Sequence, residues 1–397
     1  MKKRMAAVVL LVALGLAGWN YLRPIPGVAA TAALPATDTV PGTPPALPWP
    51  ARGSAAMGVS GLGFVATSGN EQPLPAASVT KVMTALIVLQ DKPLKVGDSG
   101  PLITLTDVDV QSYQADLAQQ QSVVPVQAGE QLTELQMLEG LLLPSANNLA
   151  ETLARWDAGS LANFVMKMND EAATLKLKHT TFADASGASA ASVSTPTDLM
   201  TLGMVAMKQE VFAQVVGLAQ ADLPVVGTVY NVDAVLGQSG IIGIKTGSGL
   251  NLGGNFLFAA NATVDGHQVV IYGCVMGQST LDLAFSRARS LIAAAATALH
   301  VRRVIARNQT VATYVTPWGA QSDLVSTVDV DLAEWPGMVL RQRLGANAVV
   351  VDRPLPASTP EGAEHVVLGA YDLFVPLVTA DPMYPPGRLW RLTRLSF

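Results

Sequence analysis

Residues 75–90 read PAASVTKVMTALIVLQ, and two of them do not belong in an ordinary buried helix. Val79, Val82, Met83, Leu86, Val88 and Leu89 recur at helical spacing and leave little polar face, the pattern of a helix covered on most sides. Ser78 and Lys81 interrupt it. Residues three apart share a helix face, so the amine lies within reach of the hydroxyl. A free serine is a poor nucleophile and needs an adjacent base. A lysine is a base only when neutral, and its reference pKa is about 10.4. Working near neutrality asks for a fall of about 3 units, or about 4 kcal/mol against the charged form. Burial among apolar neighbours supplies part of that, and a second cation nearby supplies more. The bland alternative is a helix cap beside a snorkelling lysine. Ser-x-x-Lys alone does not decide between them, although it occurs once in the chain.

Two further motifs keep it company. Ser145-Ala146-Asn147 falls where Pro144 breaks the helical pattern of TELQMLEGLLLPSANNLAETLARW. Lys245-Thr246-Gly247 closes the apolar strand GIIGI, and Lys245 would be the second cation. SVTK, SAN and KTG in that order resemble the motif set of the penicillin-recognising serine enzymes. The resemblance is closest to the D-alanyl-D-alanine carboxypeptidases of serine peptidase family S11. The stretches AASVTKVMTALIVL, LEGLLLPSANNLAETLA, FADASG with STPTDL, and GIIGIKTGSG carry it, from about Ser54 to His300.

The resemblance implies roles. Ser78 would be the nucleophile and acyl-ester site, and Lys81 its proton acceptor. Ser145 would pass a proton to the leaving amine. Asn147 would hold a substrate amide, and Lys245 and Thr246 the terminal carboxylate. The N–H groups of Ser78 and Ser248 would form the oxyanion hole. Gly247, with no side chain, would let the substrate backbone pair along the strand edge. Two departures stand beside the chemistry: many relatives carry an acid where Asn148 stands, and Thr or His near Ser248-Gly249. No cofactor or metal is implied. The implied partners are a peptidoglycan stem peptide and β-lactam antibiotics. A β-lactamase or esterase on the same scaffold, and a non-catalytic cell-wall peptide binder, are the alternatives. A Glu-x-x-Leu-Asn loop of the class A lactamases is not evident, and ADASGASAAS offers only Asp184.

Around this core the chain divides. At 397 residues it is long for one core. Half the residues are hydrophobic and 14% charged, a globular balance. The net charge of -5 argues against nucleic acid. Residues 1–23, with Lys2-Lys3-Arg4 before an apolar run from Met5 to Trp19, read as a signal peptide or signal anchor, which would place the body outside the cytoplasm, secreted or held to the outer face of the membrane. If uncleaved, the segment makes the membrane a partner; Ala30-Thr31-Ala32 is a small-residue cleavage option. Residues 24–50 read as a Pro/Ala-rich linker. Residues 51–300 would be the catalytic domain, an α+β fold with helices packed on an antiparallel sheet. Its signals include a hairpin at Ser60–Gly63, a capping box from Thr133 to Gln136, an Asp265-Gly266 turn, and a final helix capped by Ser279 and Asp282. Cys274 reads as a buried small hydrophobe. Residues 301–397 would be a small all-β sandwich-like domain, with RLWRLTRLSF as its closing strand in preference to a basic amphipathic segment touching anionic lipid.

Overall fold

The structure, a computed structural model, describes residues 2–69, 71–249 and 253–394. The helices in chain order are α1 (Lys2–Leu22), α2 (Lys81–Asp91), α3 (Asp107–Ala118), α4 (Glu134–Leu142), α5 (Asn147–Ala158), α6 (Leu161–Thr174), α7 (Pro196–Ala206), α8 (Glu210–Val216), α9 (Leu281–Ala298) and α10 (Arg388–Thr393). The chain forms two compact units, Pro44–His300 and a second made of Met1–Thr43 with Val301–Phe397.

The Pro44–His300 unit is built on a five-stranded antiparallel sheet. Its order is Ile241–Gly249, Gly253–Val264, His267–Gln278, Ser54–Val59 and Gly63–Thr67. Both expected hairpins are present, turning through residues 60–62 and at Asp265-Gly266. Phe256 through Ala260 are all fully buried, and successive strand residues point to opposite faces, so the sheet is covered on both. α9 covers the Phe256 face, where Phe256 meets Phe285 edge-on at 4.9 Å. α7 covers the Leu257 face, with Gly203 against the Leu257 methyls. Thr280 caps α9, accepting from the Leu283 N–H, rather than Ser279 or Asp282. The cap sits one residue along because it needs extended backbone with a hydroxyl aimed at N3, and Thr280 has both.

α2 runs through the middle of the helices. Lys81 to Leu89 are all buried, as an all-round apolar helix requires. The Thr133–Gln136 capping box starts α4, with both reciprocal bonds made. α4 stops at Leu142 and α5 starts at Asn147, so Pro144 and Ser145 stand in the break.

Glu134, in the first turn of α4, is fully buried, and neither of its carboxylate oxygens has a partner among the described residues. Burial pushes its pKa up to about 7. The native state therefore binds more protons than the unfolded chain between the ordinary value of 4.5 and about 7, and stability falls as pH rises through that window. Glu134→Gln is expected to raise stability by up to about 3 kcal/mol near pH 8, with no gain near pH 4, as read by denaturant unfolding at both values.

The second unit centres on a seven-stranded antiparallel sheet. Its order is Thr31–Ala32, Thr310–Val315, Gln321–Ser326, Tyr371–Thr379, Pro360–Leu368, Val339–Ala346 and Thr37–Thr39. Its two edge strands are thus close in sequence. Residues 33–36 can span at most about 18 Å, whereas a flat sheet of this size would be almost 30 Å wide. The sheet therefore curls until its edges approach. Residues 24–50, expected as a linker, include both edge strands. Their proline content hid strands that need few ladder bonds because they lie at edges. The tail is corrected too: Arg388–Thr393 is a helix rather than a closing strand, and residues 395–397 lie outside the described residues.

Candidate active site

Ser78 sits in a single 3-10 turn, Ala77–Thr80, that leads directly into α2. The turn is held on three sides. Asn255 Nδ2 donates to the carbonyls of Pro75 (2.9 Å) and Ala76 (3.2 Å). The Ala76 N–H donates to Ser192 O at 2.9 Å. Ala77 is in the left-handed region at φ 49°, which costs about 1–3 kcal/mol and persists only where the surroundings impose it. Two glycines do so. A Cβ on Gly187 would lie 1.8 Å from Ala77 O, and one on Gly247 2.8 Å from Ala76 O. Gly247 thus has a second reason to be glycine besides the substrate room read from the sequence. Gly247→Ala would push the Ser78 turn aside, and an acylation rate lower by roughly 100-fold is expected, measured by stopped-flow with a chromogenic β-lactam.

Lys81 opens α2 and is fully buried. Its Nζ lies 3.0 Å from Ser78 Oγ, 2.6 Å from Asn147 Oδ1 and 2.8 Å from Ser186 O. Burial pulls its pKa well below the ordinary value, and the nearby Lys245 charge pulls it further; Asp184 and Asp116 oppose this. Asn147, at the start of α5, donates through Nδ2 to Gln121 Oε1 at 3.0 Å, which fixes its amide with the oxygen toward Lys81. Ser145 is left-handed at φ 68° and buried, and its Oγ has no partner among the described residues.

Lys245 and Thr246 are buried on Ile241–Gly249, the edge strand of the sheet, against which the Ser78 turn packs. Lys245 Nζ reaches Thr246 O (3.3 Å) and Thr246 Oγ1 (3.5 Å). Burial brings its pKa down to about 7, with Asp233 acting in the other direction. Ser78, Asn147 and Ser248 share one cavity of about 320 Å³ with the Gln119–Ser122 loop and Gly187, Ala188, Ala190 and Gly249. Ser78, Asn147 and Ser248 line the cavity, Lys81 is bonded to Ser78 and Asn147, Gly247 packs against the Ser78 turn, and the Thr246 hydroxyl is bonded only to Lys245 among the described residues. Ser145 and Lys245 are held nearby, in no hydrogen bond to Ser78 or Lys81.

The sequence marks the 184–192 loop as part of the family resemblance but assigns none of its residues a role. Asp184 organises it. Its Oδ2 accepts from Ser186 N–H, Ser186 Oγ and Ala188 N–H, and its Oδ1 from Ser192 Oγ at 2.5 Å. Thr84 Oγ1, one turn beyond Lys81, donates to Ala185 O at 2.6 Å. These bonds aim the Ser186 carbonyl at Lys81. A backbone acceptor has no sequence signature; Asp184-Ala185-Ser186-Gly187 is the available hint. Asn148 also gains a reason. It accepts from the Val124 N–H and donates to Val124 O, pinning the cavity's Gln-rich loop, and a carboxylate could make only the first bond.

A helical region packed on an antiparallel sheet, with a Ser–Lys pair between them, is the architecture of the penicillin-binding DD-peptidases. The crystal structure of the Streptomyces K15 DD-transpeptidase superposes with a TM-score of 0.55 at 28% identity, covering 64% of this chain and 98% of that one. Penicillin binding protein 5 from Haemophilus influenzae shares the fold with a TM-score of 0.62 at 17% identity, covering 87% and 100%. The family model for D-alanyl-D-alanine carboxypeptidase, peptidase family S11, matches residues 62–280, and the chain belongs to that family. Among curated relatives, the D-alanyl-D-alanine carboxypeptidase of Streptomyces sp. strain K15 is 31% identical over 234 residues, covering 54% of this chain and 76% of the relative. DacB2 of Mycobacterium tuberculosis is 34% identical over 180 residues, covering 44% and 57%.

Proposed function

We propose that this chain is a serine-type D-alanyl-D-alanine carboxypeptidase that works outside the cytoplasm and removes the terminal D-Ala of peptidoglycan pentapeptide stems. The observation that carries this reading is the trio of atoms around Lys81 Nζ. A neutral amine has two N–H bonds and one lone pair. Asn147 Oδ1 and Ser186 O can only accept, so they take both N–H bonds. The lone pair is then left for the Ser78 hydroxyl proton. Burial and the nearby Lys245 charge favour this uncharged form, which is what a general base requires.

Lys81 takes the Ser78 proton as Oγ bonds to the carbonyl carbon of the penultimate D-Ala. The carbonyl electron pair moves onto its oxygen, toward the N–H groups of Ser78 and Ser248. Lys245 and Thr246 hold the terminal carboxylate, and the substrate strand pairs along the free edge at Gly247 and Ser248. Collapse of the tetrahedral intermediate breaks the C–N bond. The leaving amine receives the proton from Lys81 through Ser145, whose unpartnered Oγ is free for that relay. Water then cleaves the Ser78 ester, with Lys81 again the base, and releases the shortened stem.

The test is release of free D-Ala from a diacetylated Lys-D-Ala-D-Ala peptide by the intact chain; no release refutes the reading. A β-lactamase role is disfavoured because Asp184, the one acid in ADASGASAAS, has both oxygens engaged by four donors. A penicilloyl adduct should therefore persist.

A further inference from the structure

We propose that α1 is a retained membrane anchor rather than a cleaved leader, and that α10 is clasped to its outer end, so that both helices dock this unit on the bilayer surface. The proposal concerns the unit made of residues 1–43 and 301–397 and is independent of the chemistry at Ser78.

α1 offers about 20 residues from Lys3 to Leu22, about 30 Å of helix, the thickness of a bilayer core. Its apolar side chains are uncovered, Leu22 at its outer end by 80%. Lys3 and Arg4 at the inner end orient it with the rest of the chain outside.

The segment after α1 is not a spacer that processing could discard. Val28 exchanges both backbone bonds with Val349, at 2.9 and 3.0 Å. Two residues of the small-residue site, Thr31 and Ala32, are an edge strand paired with Thr313 and Ala312, so a protease there would cut the curled sheet.

The clasp is Arg394, buried although it lies almost at the end of the described chain. Its Nε and Nη2 donate to Asn20 O at 3.0 and 2.8 Å, its Nη1 to Pro24 O at 3.0 Å, and its Nη2 also to Arg23 O. Asn20 Nδ2 returns a bond to Leu392 O at 3.3 Å. Asn20 O is one of the carbonyls that a helix C-terminus leaves unsatisfied, at the negative end of its dipole, and Arg23 and Pro24 follow the helix directly. A cation from about 370 residues away caps them.

Held this way, α10 carries membrane-surface chemistry. Leu389 is 74% exposed, beside exposed Leu392 and Arg388. Trp390 meets Trp318 edge-on at 5.1 Å, and Arg391 lies over Tyr21. Tyr and Trp at the end of an apolar helix, with arginines beside them, match the headgroup layer and its anionic phosphates.

Two measurements test this on the full chain expressed in a bacterial host. Intact mass of the membrane-extracted protein is expected to include residues 2–22; a mature start beyond Leu22 overturns the proposal. Leu389→Cys, labelled with a fluorophore while buried Cys274 stays unreactive, is then reconstituted into phosphatidylcholine–phosphatidylglycerol vesicles carrying acyl-chain nitroxides. Strong quenching is expected, falling several-fold when Arg394→Ala is added. A label that is not quenched, or quenching indifferent to Arg394→Ala, overturns it. D-Ala release should be unchanged throughout, so failure here and failure of the catalytic reading are separable.

Discussion

Ser78→Ala is expected to abolish both D-Ala release and penicilloyl adduct formation, a loss of at least about 10⁴-fold in turnover. Among the described residues no other hydroxyl is hydrogen-bonded to Lys81 Nζ, so no neighbour stands ready to replace it. The truncation removes one oxygen from a turn whose backbone is held by Asn255, Ser192, Gly187 and Gly247, none of which touches that oxygen. The variant should therefore fold, melt like the parent and still bind substrate. The decisive readout is intact mass after incubation with benzylpenicillin: parent chain shifted by one penicilloyl group, variant unshifted. Residual release near the parental rate would remove Ser78 from the mechanism.

Lys81→Arg is expected to cost nearly as much, at least about 10³-fold in acylation, while keeping a cation in place. A guanidinium does not deprotonate in proteins, so it can fill Asn147 and Ser186 but offers Ser78 no lone pair. The pH profile of the parent separates base loss from misfolding. Lys81 loses its proton well below the ordinary lysine range, so kcat/KM should rise with pH on the acid side as the amine becomes neutral. Lys245 must stay charged to hold a carboxylate, and its pKa near 7 sets an alkaline limb on kcat/KM. A bound carboxylate favours the charged form, so the alkaline limb of kcat should lie higher than that of kcat/KM. The two amines are coupled, and the limbs belong to the pair. A parental profile with no acid limb would contradict Lys81 as the base.

Much of this was legible in the chain itself. The three-residue spacing of Ser78 and Lys81 puts them within reach of each other, and the 3-10 turn leading into α2 keeps that spacing. The Thr133–Gln136 box, the Asp265-Gly266 turn and the Pro144 break are local, and each appears where local chemistry puts it. The misreadings have one cause. Residues 24–50 and the tail each depend on partners about 300 or more residues away: Val349, Val311 and Met338 for the first, Asn20 and Pro24 for the second. A short edge strand with prolines has no periodicity to display, and a six-residue helix held by one arginine has little propensity to declare.

The sequence alone named the candidate reacting groups and the order in which they come along the chain, since residue chemistry and helical spacing are local properties. Whether Lys81 is neutral was a tertiary decision. Burial at the centre of the helices takes water from the amine and Lys245, 164 positions further on, adds a second positive charge, against the opposing pull of Asp184 and Asp116.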